Sequence, residues 1–290
     1  MSKRQKPSLK LFSIFKNSAV FILLILSSLL SACGHLFYYP DDHTYADPDE
    51  NRLQYEEIFF ESKDGVKLNG WFFPAQTKKP LGTIVQFHGN GQNMSSHYAS
   101  VIWLIYEGYN LFTFDYRGYR KSEGDPNAEG TYWDGLKALQ VSFEKHKKTG
   151  APRFIVMGES LGGAILARSV LDFEFKDKID LLIFNSTFLS YKKIAKDKLS
   201  SSWLTWLFSP LGGVLVSDKY SAYERIDEIK TDALVIHDES DPVVSFEFGK
   251  YIYDHLGGKK EMWTYSNRSH VAFFSISEKN RNRFLNFLRK

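Results

Sequence analysis

The chain has 290 residues, 43% hydrophobic and 24% charged, enough for one large domain with a sizeable core. Its formal net charge is +3, but Lys3, Arg4, Lys6, Lys10 and Lys16 fall within residues 1–32, where no acid occurs, so the remainder carries −2. A near-neutral body excludes an electrostatic case for nucleic acid, and the lack of any internal repeat excludes a solenoid.

The first element is a targeting segment, residues 1–32. A basic stretch precedes a mostly apolar run from Ala19 to Leu30. That run is short of the roughly 20 residues a bilayer span requires. It ends in Leu30-Ser31-Ala32-Cys33, which resembles the lipobox of bacterial lipoproteins. The resemblance implies that residues 1–32 are a signal peptide, that the Cys33 thiol receives a diacylglycerol, and that the freed amine is acylated. Several acyl chains anchor stably where one is marginal. Cys33 is also the sole cysteine of the chain. An exported protein normally pairs its cysteines or lacks them. The alternative is an uncleaved signal anchor with an incidental cysteine, and either arrangement tethers the body to a membrane. Gly34, rather than Asp, follows the cysteine. By the same resemblance this implies the outer membrane if the host is Gram-negative, with the folded body in the cell envelope outside the cytoplasm. Residues 34–53 hold five acids and two prolines without a helical or strand period. Residues 33–53 are therefore expected to be the lipidated cysteine and a tether.

Residues 54–290 read as one α/β domain. Residues 55–62 and 66–75 form a predicted antiparallel hairpin across Lys63-Asp64-Gly65. Apolar strands follow at 83–89, 110–118, 153–160, 181–187, 233–240 and 260–266. Helical patterns lie at 95–107, 130–148, 161–172, 245–256 and 278–289. Continuous apolar strands alternating with helices imply a parallel sheet covered on both faces, with ligands at the carboxyl ends of its strands. Residues 188–227 break the rhythm and exceed a normal crossover. They hold Trp203, Trp206, Leu207, Phe208 and Pro210. They read either as a core helix under the sheet or as a cap insertion lining an apolar pocket.

Chemistry-bearing residues gather just after the predicted strands. Gly158-Glu159-Ser160-Leu161-Gly162 lies where a strand ends and a helix begins. In that context G-x-S-x-G forms a nucleophile elbow: the glycines have no side chains to clash, and Ser160 projects above the sheet. A serine hydroxyl needs a base. His270, after the last strand and before the final helix, occupies the place expected for it. Asp238, Glu239 and Asp241 all follow the 233–240 strand and qualify by type as the acid that orients the imidazole. The Leu161 N–H and the Asn90 N–H, the latter in His88-Gly89-Asn90-Gly91, are the expected oxyanion donors. The histidines show no metal-ligand spacing, so no metal site is expected, and no P-loop is present.

The residues 87–93 (FHGNGQN), 114–126 (FDYRGYRKSEGDP), 158–163 (GESLGG), 217–226 (SDKYSAYERI), 234–249 (LVIHDESDPVVSFEFG) and Ser269-His270 together resemble the α/β-hydrolase superfamily, in particular its Bem46-like branch. The resemblance implies the α/β-hydrolase fold and a Ser160–Asp241–His270 triad, because Asp241 precedes a small hydrophobic pair as the family acid does. Asp238 is the fallback. His88 and His237 are then structural, and Asp115 and Arg117 braces. Two departures stand out: Arg120 and Asp238 occupy positions where the family usually has Gly.

The function implied is a serine hydrolase that cleaves carboxylic esters or thioesters of small-molecule, acyl or lipid-like substrates through an acyl-serine, without a cofactor. Amide cleavage or acyl transfer on the same triad is a second reading. A non-catalytic surface binding module is a third.

Overall fold

The computed structural model describes residues 37–200 and 216–290. Residues 1–36, Cys33 among them, and residues 201–215 of the expected cap lie outside the described residues.

Strands β1 (Glu56–Glu61) and β2 (Lys67–Phe73) make the expected hairpin, with Gly65 at φ 84° in its turn. Among the described residues six more strands follow: β3 (Gly82–Phe87), β4 (Tyr109–Asp115), β5 (Phe154–Glu159), β6 (Leu181–Asn185), β7 (Ala233–Asp238) and β8 (Lys260–Tyr265). The sheet order is β1-β2-β4-β3-β5-β6-β7-β8. β2 runs antiparallel to β1 and β4, and every other pair is parallel. The strand period of two divides the apolar residues between the faces. Ile84, Ile155, Ile183 and Leu234 pack with Phe284 and Leu288 on one side. Val85, Val156, Leu182 and Val235 pack with Leu139 and Ile165 on the other. Burial on both faces is why the central strands read as unbroken apolar runs.

The helices are α1 (Met94–His97), α2 (Ala128–Thr149), α3 (Leu161–Asp172), α4 (Tyr191–Ser200), α5 (Phe246–His255), α6 (Phe273–Ile276) and α7 (Glu278–Leu288). The Asn127 side chain caps α2 by accepting from Gly130 N, and Gly150 ends it at φ 68°. Residues 95–107, expected as one helix, instead form α1 and two 3-10 turns, Tyr98–Ser100 and Ile102–Ile105. Val101 separates the turns at φ −127°. It is fully buried, as are Leu104 and Ile105, so packing against the sheet overrides helical periodicity here.

Residues 37–53 do not stand off as a tether. Tyr38 is buried, and its hydroxyl meets Thr131 Oγ1 at 3.1 Å. Asn93 Nδ2 donates to Asp41 Oδ1 at 2.7 Å and to His43 O at 2.7 Å, and Leu53 packs on the core. The acids, the prolines and the missing period point to a tether, but burial of Tyr38 and the bonds from Asn93 to Asp41 and His43 hold the segment on the body.

The two departures from the family pattern are accommodated differently. Arg120 sits at φ 45°, a region glycine enters freely. Its Nε donates to the buried Asp115 at 3.1 Å, and its guanidinium lies 4.5 Å from the Trp71 ring centroid. Burial pushes the Asp115 carboxyl up to about 6, although the Met94 N–H and Arg120 favour its charged form. Asp238, by contrast, lies at the end of β7, where its Oδ2 accepts from Asn267 N and Ser269 N. Arg117 is a brace as expected, paired with Asp134 and Asp64 at 2.8 Å each.

Candidate active site

Strand β5 delivers Ser160 to the first turn of α3 at φ 52° and ψ −121°. A non-glycine residue there is strained, and such strain persists only where surroundings over-determine it. They do: Ser160 N donates to Asn185 O at 3.0 Å, and Thr187 Oγ1 donates to Ser160 O. Glycine is required on either side. A Cβ on Gly158 would lie 2.6 Å from Gly163 Cα, and one on Gly162 would strike the carbonyls of Phe87 and His88. The turn therefore closes only with these residue types, and it leaves Ser160 8% exposed at the floor of a cavity.

That cavity is about 430 Å³. Asn90, Ser160 and Lys198 contribute polar groups to its lining, and Phe37, Leu161, Phe188, Ile194, Leu199 and Val244 contribute apolar ones. The described part of the 188–227 insertion thus contributes a wall, through Phe188 and α4. Tyr39 and Val243 also line the cavity and are 60% and 41% exposed, which gives its rim an apolar character. Sequence reasoning missed Phe37 and Tyr39. The signal was present, since an aromatic cluster is atypical of a solvated tether.

The loop after β3 lies against the serine: a Cβ on Gly89 would sit 3.7 Å from Ser160 Cβ. Tyr39 N donates to Asn90 Oδ1 at 2.9 Å and Tyr119 Oη to Asn90 O at 2.8 Å, which fixes the loop from outside. The fully buried His88 braces it from inside, with Nδ1 2.7 Å from Gly89 O. Burial lowers the affinity of this imidazole for a proton.

Among the three acids after β7, geometry separates the roles. Asp241 Oδ2 lies 2.8 Å from His270 Nδ1, while Val243 N and Val244 N donate to Oδ1 at 2.7 and 2.9 Å. Burial alone would raise its pKa. The His270 contact and the two N–H donors outweigh burial and hold it below the usual carboxylate value. Asp238 does not contact the ring. Its Oδ2 accepts from Asn267 N, Ser269 N and Ser269 Oγ at 2.9–3.0 Å, so it ties down the loop that carries His270. Those donors likewise overcome burial and keep its carboxyl low. Glu239 donates its N–H to Tyr265 O and extends the sheet. His237 is fully buried, with Nε2 2.9 Å from Val244 O, a structural contact.

The loops carrying Ser160 and His270 meet at the end of β6. Ser160 N bonds Asn185 O, and Val271 N bonds the side chain of the next residue, Ser186, at 3.4 Å. Ser186 and Val271 are themselves at φ 50° and 56°, so strain concentrates where the two loops approach. Among the described residues, Ser160 Oγ has no hydrogen-bond partner, a common condition of unliganded sites. Among the described residues there is also no cluster of three or more His, Cys, Asp and Glu placed to hold a metal, and no helix long and apolar enough to cross a membrane.

Comparison with known proteins supports the fold and the family. The family model described as "Serine aminopeptidase, S33" matches residues 78–221. The chain is 32% identical over 270 residues to the protein YfhR of Salmonella typhimurium, covering 88% of this chain and 87% of that one. It is 28% identical over 254 residues to the protein bem46 of Schizosaccharomyces pombe, covering 81% and 79% respectively. The solved structure of the esterase Pf2001 of Pyrococcus furiosus superposes with a TM-score of 0.69 at 23% identity, over 87% of this chain and 97% of that one. With the elbow, the sheet order and these relatives in agreement, the chain belongs to the α/β-hydrolase family of enzymes and shares its Bem46-type branch.

Proposed function

We propose that the protein is a serine esterase or thioesterase acting on acyl substrates while tethered to a membrane surface. The observation that carries this reading is the strained Ser160 at the floor of an apolar cavity, with the Leu161 and Asn90 backbone beside it. Ser160 Oγ attacks the acyl carbonyl as His270 Nε2 takes its proton. Asp241 holds Nδ1–H, fixing the tautomer and stabilising the imidazolium. The N–H groups of Leu161 and Asn90 receive the developing oxyanion, each contributing about 3 kcal/mol. The tetrahedral species collapses, the C–O or C–S bond breaks, and His270 returns the proton to the departing alcohol or thiol. Water then repeats the attack on the acyl-Ser160 and releases the acid. The apolar walls accept the acyl chain, so p-nitrophenyl esters should gain in kcat/KM as the chain lengthens from two carbons, until the cavity is filled. A flat or falling series from acetate onward sinks the acyl reading.

The tether rests on the lipobox-like Leu30–Cys33 and on where the chain enters the body. Phe37, four residues after Cys33, lines the cavity. Four residues span at most about 14 Å. A lipidated Cys33 therefore keeps the cavity mouth, with its exposed Tyr39 and Val243, close to the lipid surface. Mass spectrometry of the protein purified from a bacterial host tests this. Acyl chains should be present on the wild type and absent from Cys33→Ser; acylation that survives the substitution contradicts the anchor.

Amide cleavage is the second reading, favoured by the aminopeptidase description of the matching family model. Paired ester and amide substrates of one acyl group separate the two by their kcat/KM ratio.

A further inference from the structure

Beside the proposed triad lies another histidine–carboxylate pair that the reaction just described does not use. His97, at the end of α1, sits between the oxyanion loop and the nucleophile strand. Its Nε2 is 3.0 Å from Gly91 O. Its Nδ1 is 3.5 Å from an oxygen of Glu159, the residue immediately before Ser160. Its Cε1 would lie 3.1 Å from a Cβ on Gly89, so the ring rests against the loop's backbone. Glu159 is fully buried and is otherwise held by Gln86 Nε2 at 3.2 Å and Ser100 Oγ at 3.5 Å.

Both ring nitrogens of His97 face oxygens that only accept: a backbone carbonyl and a carboxylate. A neutral imidazole carries one N–H and can serve one of them; the imidazolium serves both. We propose that His97 is a positioning residue, an imidazolium that clamps the 88–91 loop to the nucleophile strand and so aims the Asn90 N–H at the oxyanion. The inference rests on the proposed serine mechanism, because only there does the aim of Asn90 N–H matter to rate.

The charged groups around the ring support this state. Glu159 faces it from β5. Asp115, paired with Arg120, faces it from β4. His88 stands 5.4 Å away, centroid to centroid, at the end of β3, and burial keeps it neutral. Burial opposes charge on His97, but Glu159, the Gly91 carbonyl and Asp115 outweigh it and raise its pKa above the usual 6.5. The clamp is therefore closed below that pH and lost as pH rises through the raised value. On deprotonation one N–H remains, so the ring can donate to Gly91 O or to Glu159 but not to both, and the link between loop and strand is broken.

The test is the pH profile of kcat on a soluble p-nitrophenyl ester for wild type, His97→Gln and Glu159→Gln, with thermal unfolding confirming that each is folded. Wild type should show an alkaline decline in kcat. His97→Gln should lower kcat by about tenfold at neutral pH, less than outright loss of an oxyanion donor, leave KM within about twofold, and remove that decline. Glu159→Gln should move the decline to lower pH, because the charge that raises the His97 pKa is gone. If folded His97→Gln keeps the wild-type alkaline limb, or if its loss falls on KM alone, the clamp is wrong. If wild-type turnover is independent of Ser160, it is the serine mechanism that fails, a result distinct from either.

Discussion

Replacing Ser160 with alanine is expected to lower ester turnover by about 10⁴- to 10⁶-fold, the range in which loss of a serine nucleophile falls in hydrolases of this chemistry. The residual rate comes from the oxyanion donors and the cavity, which the substitution leaves in place. Stability should change by less than about 1 kcal/mol. The hydroxyl has no partner among the described residues, and the backbone at φ 52° is held by Asn185 and Thr187 through main-chain atoms that alanine keeps. Steady-state kinetics beside a urea denaturation curve separates the two effects. A variant that retains a tenth of wild-type activity while folded removes Ser160 from the mechanism.

The second large effect separates two carboxylates three residues apart. Asp241→Asn should lower kcat by about 10⁴-fold, because an amide facing His270 Nδ1 favours the wrong tautomer and cannot stabilise the imidazolium. Asp238→Asn should cost about tenfold or less, since the Asp241–His270 contact survives while the ties to Ser240, Asn267 and Ser269 weaken. Both carboxyls are held below the usual 3.8 in the folded protein. A depressed carboxyl contributes stability above its unfolded pKa and loses it as pH falls through the folded value. The His270 loop should therefore loosen in acid below about pH 4, and Asp238→Asn should abolish part of that acid transition. Equal losses for the two variants would return the acid to an open question.

Much of this site was legible in the sequence because its residues sit at strand ends. The apolar runs ending at Gly158, His88 and His237 gave the parallel strands. A serine or acid just past such a run has one place to go, the carboxyl edge of the sheet. The choice between Asp238 and Asp241 was not legible from residue type, because it turns on which side chain the backbone donors at 243–244 and 267–269 claim. The failure at 95–107 has a similar cause. Val101, Leu104 and Ile105 have the spacing of a helix, but all three are needed against one patch of sheet, and two 3-10 turns present them better. Residues 37–53 carry acids, prolines and no regular period, which point to a tether, whereas burial of Tyr38 and the cavity contacts of Phe37 and Tyr39 decide the structure. The His97–Glu159 pair was invisible because its partners are 62 residues apart and meet only once β3 and β5 pair.

The central claim is that strand β5 presents one activated hydroxyl to an acyl carbonyl. Intact-mass and peptide mapping after treatment of the folded full-length protein with a fluorophosphonate tests it most directly. The account predicts a single adduct, on Ser160, formed at a rate that collapses in His270→Ala. An adduct on another residue, or none on folded wild-type protein that still turns over ester, would contradict it.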